Sequence, residues 1–162
     1  MGAEYKGKFS GSFGITSSFS FFFSHHISTM EGGIVLTDDE ELYQIMLSLR
    51  AHGWTRQLPK KNLITKKKSN DAFYELFNFV LPGYNIRPLE LSGAIGKEQL
   101  KKIPSLTLAR RKNASYFKKM VETLPNVKLQ IETEKSSWFC FGILINYREK
   151  YLEPLRKKNI EF

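Results

Sequence analysis

Hydrophobic and polar positions change period several times along the chain, and each change marks an element. Phe19, Phe21 and Phe23 alternate with Ser20, Phe22 and Ser24, a short apolar run that predicts a buried strand. The run ends in a polar group, Ser24-His25-His26. Met30-Glu31-Gly32-Gly33 then supplies turn residues, and Ile34-Val35-Leu36 predicts a returning strand. Thr37-Asp38-Asp39-Glu40 reads as a helix start, with a capping hydroxyl followed by carboxylates in the first turn. Leu42, Ile45, Met46 and Leu49 then fall on one helical face, Arg50 and His52 occupy the last turn, and Gly53 stops the helix.

Residues 54–71 form a basic loop containing Pro59 and the run Lys66-Lys67-Lys68. Residues 72–80 are short and apolar, and Leu81-Pro82-Gly83 is a turn. Tyr84 to Pro88 predicts an extended link, because the residue before a proline is pushed out of the helical region. A helix is predicted over 89–100, with Gly93, Ala94 and Gly96 permitting close packing. Pro104 interrupts, and a longer helix over 105–124 turns Leu108, Tyr116, Phe117, Met120, Val121 and Leu124 inward. Val127, Leu129 and Ile131 alternate as a strand, and residues 138–145 predict a second, more buried one. A last amphipathic helix over 149–158 carries Leu152 and Leu155 on its apolar side, and residues 159–162 read as the opening of a further strand. The Gly-rich first fourteen residues read as a strand end and loop. Both ends therefore suggest a piece of a larger fold.

Composition narrows the class. The 162 residues are 41% hydrophobic and 14% aromatic, enough for a core. No apolar run reaches membrane-spanning length, and the first residues carry no signal-peptide core. Cys140 is the only cysteine, which excludes an internal disulfide and a Cys-rich metal site and fits a reducing cytoplasm. A net charge of +9 points to an anionic partner. Nucleic acid is the poorer candidate. The Phe residues concentrate in core-like strands, and the Lys-rich stretch from Lys60 to Lys68, which reads as a solvated loop, has no interleaved aromatics.

The candidate chemistry lies at His25 and His26, two adjacent imidazoles beside hydroxyls at a strand edge, a combination suited to proton transfer. In order, the segments GSFG, FSFFFSHHISTMEGG, LTDDEEL, LRAHGWTR, YNIRPLELSGAIGKEQL and LARRKNASYF resemble the sugar aminotransferase family of the aspartate-aminotransferase fold, the pyridoxal-phosphate (PLP) enzymes of deoxysugar synthesis. The resemblance implies an α/β chain within the type I PLP-dependent transferase fold. Residues 1–88 would end the large mixed-sheet domain, and 89–162 would begin the small α+β domain.

His25 stands where this family carries the lysine that holds the cofactor covalently. Imidazole has no primary amine, so lysine-based transamination is excluded at this position. The substitution resembles the 3-dehydratase branch, with an aminotransferase homologue or an inactive fragment as alternatives. That branch implies loss of the C3 hydroxyl from a nucleotide-linked 4-keto-6-deoxyhexose, GDP-4-keto-6-deoxymannose, in colitose and O-antigen (lipopolysaccharide) synthesis. The cofactor would work in its pyridoxamine phosphate form, glutamate would be the amino donor, and His25 would act as base and then acid. By the same resemblance Ser20 binds the cofactor phosphate. Asn85 reaches the cofactor of a neighbouring subunit, which implies a cytoplasmic homodimer with shared sites. His52 and Arg56 lie near the nucleotide sugar, and Arg87 either faces phosphate or pairs with Glu90. His26 is structural or supports His25. An iron–sulfur relative is excluded, since one cysteine cannot hold a cluster that usually takes four thiolates. No metal is implied.

Overall fold

The computed structural model describes residues 1–161. In chain order its elements are Glu4–Tyr5 (β1), Lys8–Phe9 (β2), Thr16–Ser20 (β3), Gly33–Thr37 (β4), Glu40–Leu49 (α1), Lys61–Asn62 (β5) and Lys66–Lys67 (β6). Ala72–Leu76 (α2), Glu90–Leu100 (α3), Ile103–Val121 (α4), Val127–Leu129 (β7), Ile143–Ile145 (β8) and Glu149–Lys157 (α5) follow. The architecture is mixed α/β. Among the described residues the strands pair antiparallel in twos: β1 with β2, β3 with β4, β5 with β6 and β7 with β8. The chain divides into two compact units, Gly11–Lys101 and Met1–Ser10 together with residues 102–161. The expected boundary at residues 88 and 89 falls just ahead of α3, inside the first unit.

In the first unit β3 and β4 form the expected hairpin, with Thr16 opposite Thr37 and Ser20 opposite Gly33. The chain returns through Met30 at φ 72° and Gly32 at φ 128°, left-handed positions that suit a tight return. Strand β3 ends at Ser20, earlier than the Phe run predicted, and Phe23 is 71% exposed in a turn. The Ser20 hydroxyl explains the early end. Its Oγ accepts the Phe22 N–H at 3.2 Å, a local bond that replaces a ladder bond and bends the chain away.

Helix α1 begins two residues later than expected. Thr37 stays in β4, and its Oγ donates to the Ile15 carbonyl at 2.8 Å. The cap is Asp39, whose Oδ1 accepts the Leu42 N–H at 2.9 Å. The buried face also differs. Gln44 and Ser48 are buried, whereas Leu42, Ile45, Met46 and Leu49 are half-buried. The reason is a loop rather than a sheet across the helix: Gln44 Oε1 accepts the Leu63 N–H at 2.7 Å, satisfying loop backbone. The helix stops at Leu49 with Arg50 as its C-cap, so His52 lies beyond its last turn. The basic loop after it is a tight β5–β6 hairpin in which Lys68 Nζ donates to the Arg56 and Leu58 carbonyls, both at 3.0 Å. Helix α3 matches expectation to within a residue. Gly96 is buried against Thr29, while Gly93 faces open space.

In the second unit α4 starts at Ile103 and carries Pro104 in its first turn, where a proline costs no hydrogen bond; the expected interruption is a helix start. Its buried residues are Thr107, Ala114 and Val121. Leu108, Tyr116, Phe117, Met120 and Leu124, expected inward, are exposed. This helix packs on an irregular segment instead of a sheet. Arg111 Nε donates to the Ser136 carbonyl at 2.9 Å, and Arg110 Nη1 donates to the carbonyls of Trp138 and Phe139 at 2.9 and 3.0 Å. Trp138 takes φ 51°, a left-handed position that breaks an extended run, and the strand predicted over 138–145 shortens to β8. Strand β7 likewise stops before Ile131, which is 87% exposed. Helix α5 forms as predicted, with Leu152 and Leu155 half-buried. Residues 159–161 form no strand, and the last position of that expected strand, Phe162, lies outside the described residues.

Candidate functional site

The sequence-predicted site residues fall into two groups, both within the first unit. Ser20 and His25 lie on the segment that leaves β3. That segment is held by its own backbone: Phe21 N–H donates to Gly32 at 2.9 Å, Thr29 N–H donates to Phe21 at 2.9 Å, and His25 N–H donates to Phe22 at 3.0 Å. Ile27 and Thr29, each 2% exposed, anchor it beneath. The His25 imidazole is half-buried, with the Phe22 ring edge-on at 6.2 Å. Ser20 Oγ uses one lone pair for the Phe22 N–H, and its own O–H remains a donor suited to a phosphate oxygen.

The second group forms where the chain leaves α1. Residues 51–55 are tied to 78–80 and to 84–86 through short backbone bridges. Ala51 faces Asn85, and Trp54 faces Phe79. His52 N–H donates to Tyr84 and Val80 N–H to Gly53, both at 2.8 Å, and Ile86 N–H donates to Arg50 at 3.1 Å. Gly53 takes φ 82°, and a Cβ there would fall on the Leu81 carbonyl oxygen; a Cβ on Gly83 would fall on the Gly53 nitrogen. Two glycines thus let the backbones cross at contact distance. His52 itself sits at φ 62°, a left-handed position uncommon for a residue with a side chain.

This crossing gathers His52, Arg56, Asn85 and Arg87. The Arg87 guanidinium does not pair with Glu90. It lies over the Trp54 ring, 5.6 Å from its centroid, and the Arg56 guanidinium lies 4.2 Å from the same centroid. The His52 imidazole meets this ring edge-on at 5.0 Å. Sequence reading passed over Trp54. The available signal was the alternation His52-Gly53-Trp54-Thr55-Arg56, which in an extended segment puts 52, 54 and 56 on one side. It also missed the support beneath: Thr55, fully buried, donates from Oγ1 to Glu75 Oε2 at 2.7 Å, and the Ser69 N–H donates to Glu75 Oε1 at 2.7 Å. The Thr55 hydroxyl, the Ser69 amide and the Lys68 charge hold the Glu75 carboxyl below the usual glutamate value.

Among the described residues no cluster of His, Cys, Asp and Glu is arranged to hold a metal, and no helix is long and apolar enough to cross a membrane. What the arrangement offers is an imidazole and a hydroxyl on one loop, and two guanidiniums with an imidazole on another. Such a set suits phosphorylated, anionic ligands and proton transfer.

Known proteins resemble this chain in sequence and fold. The GDP-4-keto-6-deoxy-D-mannose 3-dehydratase of Yersinia pseudotuberculosis is 60% identical over 145 residues, covering 90% of this chain and 37% of that protein. The enzyme of the same name from Escherichia coli O55:H7 is 54% identical over 166 residues, covering 99% of this chain and 43% of that protein. A solved structure of the E. coli GDP-4-keto-6-deoxy-D-mannose-3-dehydratase with bound hydrated PLP superposes with a TM-score of 0.96 at 54% identity, over 99% of this chain and 43% of that one. The chain thus spans about two fifths of the length of these relatives, and its fold is that of the PLP-dependent aminotransferase-fold enzymes. The family model for the DegT/DnrJ/EryC1/StrS aminotransferases matches residues 1–162, and the chain belongs to that family.

Proposed function

We propose that this chain is part of a PLP-dependent 3-dehydratase that removes the C3 hydroxyl from GDP-4-keto-6-deoxymannose in deoxysugar synthesis. The observation that carries the reading is His25, an imidazole at the family's lysine position, in a chain 54–60% identical to dehydratases of that specificity. The donor set of the first group fits the cofactor. The free Ser20 O–H suits its phosphate, and an imidazole in place of an amine implies that it is held without a covalent bond to the protein.

When bound, the cofactor supplies the electron sink that acidifies a carbon-bound proton and lets a neighbouring hydroxyl depart. His25 takes that proton and returns it to the leaving C3 hydroxyl, a role open to an imidazole because it exchanges protons near neutral pH. Arg56 and Arg87 bind the substrate phosphates, with His52 beside them. Asn85 serves the cofactor of a second subunit. Glutamate is the amino donor. The assembly is a cytoplasmic homodimer with shared sites. In the whole enzyme residues 1–88 close the large domain and 89–162 open the small one.

The test is the product. The chain completed to the length of its relatives is incubated with PLP, glutamate and GDP-4-keto-6-deoxymannose, and the sugar is weighed by mass spectrometry. A product short of one hydroxyl oxygen and free of nitrogen is expected; an amino sugar would overturn the reading. His25→Lys should lower dehydration by about a thousandfold or more and create a cofactor link trappable by borohydride. Dehydration that survives this change would remove His25 from its role.

A further inference from the structure

The indole of Trp54 has no part in the reading above, yet three residues that the reading uses converge on it. Arg56, Arg87 and His52 lie 4.2, 5.6 and 5.0 Å from its ring. The ring is itself fixed. It rests on Phe79 at 5.2 Å, faces it through a backbone bridge, and follows Gly53, which has no room for a side chain.

A π face attracts each guanidinium, but two guanidiniums beside one ring also repel each other. Neither forms an ion pair among the described residues. Arg56 Nη2 has only a neutral partner, the Leu76 carbonyl at 3.2 Å. Two full positive charges therefore share one ring, and neither has a carboxylate partner among the described residues. Such a pair is completed by an anion from outside, and the planar forks of arginine match phosphate oxygens two at a time.

We propose that Trp54 is a positioning residue whose ring gathers Arg56 and Arg87 into a clamp for the diphosphate of the nucleotide sugar. The inference rests on the nucleotide-sugar reading and adds to it the residue that sets the clamp. Without the ring, two exposed, mutually repelling side chains would spread into many rotamers, and binding would have to order them again.

The test measures binding of GDP, guanosine and inorganic pyrophosphate by calorimetry, using the holoenzyme with this chain completed. Trp54→Leu should weaken GDP and pyrophosphate by about tenfold or more and leave guanosine unchanged. Trp54→Phe, which keeps a π face, should stay within about threefold. Unchanged GDP affinity in folded Trp54→Leu, equal losses in both variants, or an equal loss for guanosine would each overturn the proposal. Should Trp54→Leu fail to fold, fluorinated tryptophan at position 54 keeps the shape and drains the π face. GDP affinity should then fall stepwise with fluorination, and constancy would overturn the clamp. Failures of the two readings are distinguishable. Wild-type enzyme that binds pyrophosphate through Trp54 but does not dehydrate defeats only the dehydratase reading. An active dehydratase indifferent to Trp54 defeats only the clamp.

Discussion

Glu75 illustrates how single residues support the site. Its carboxylate accepts from the buried Thr55 hydroxyl and from the Ser69 amide, and both bonds favour the charged form. Its folded pKa is lowered, so the stability it contributes is present above the ordinary glutamate value of 4.5 and is lost as pH falls through the lower folded value. Denaturation of wild type and Glu75→Gln should therefore differ at neutral pH and converge in acid. A gap that stays constant from neutral pH down to full protonation would show that the charge is irrelevant. This support was not legible in sequence, because Thr55 and Glu75 are twenty residues apart and nothing local joins them. The place of His25 in a segment that resembles a known motif could be read without any tertiary contact.

At the scale of elements, local chemistry decided the ends better than the faces. The β3–β4 return, the starts of α3 and α5 and the stop after α1 follow from turn residues, carboxylates and glycine acting within a few positions. The buried faces of α1 and α4 did not follow. Gln44 is buried because it satisfies loop backbone, and Ser48 and Thr107 are buried ahead of Leu and Met without a side-chain hydrogen bond among the described residues. The crossing at Gly53 is the strictest of these tertiary demands. Gly53→Ala would add about 1–3 kcal/mol of left-handed backbone strain and press a methyl into the Leu81 carbonyl. A loss of more than about 2 kcal/mol in chemical denaturation is expected, near the upper range for single substitutions. A loss under about 0.5 kcal/mol would mean that the crossing relaxes freely.

At the scale of the whole molecule, the unit Gly11–Lys101 leaves large apolar side chains in water, among them Ile15 at 74%, Phe23 at 71% and Phe73 at 72% exposure. Exposed apolar area of this kind, beside two-stranded sheets with open edges, favours association. The 162-residue chain by itself should therefore self-associate in sedimentation velocity and show no dehydration, whereas the completed protein should be a discrete dimer. A monodisperse, active 162-residue chain would contradict both expectations. The sequence alone determined the β3–β4 hairpin turn, the order of the longer helices, the family and the imidazole at position 25, because each depends on residues adjacent in the chain. Tertiary structure decided which side chains are buried and brought Arg87 to the indole that Arg56 reaches locally. Those outcomes depend on what a face packs against, and the partners lie far away along the chain.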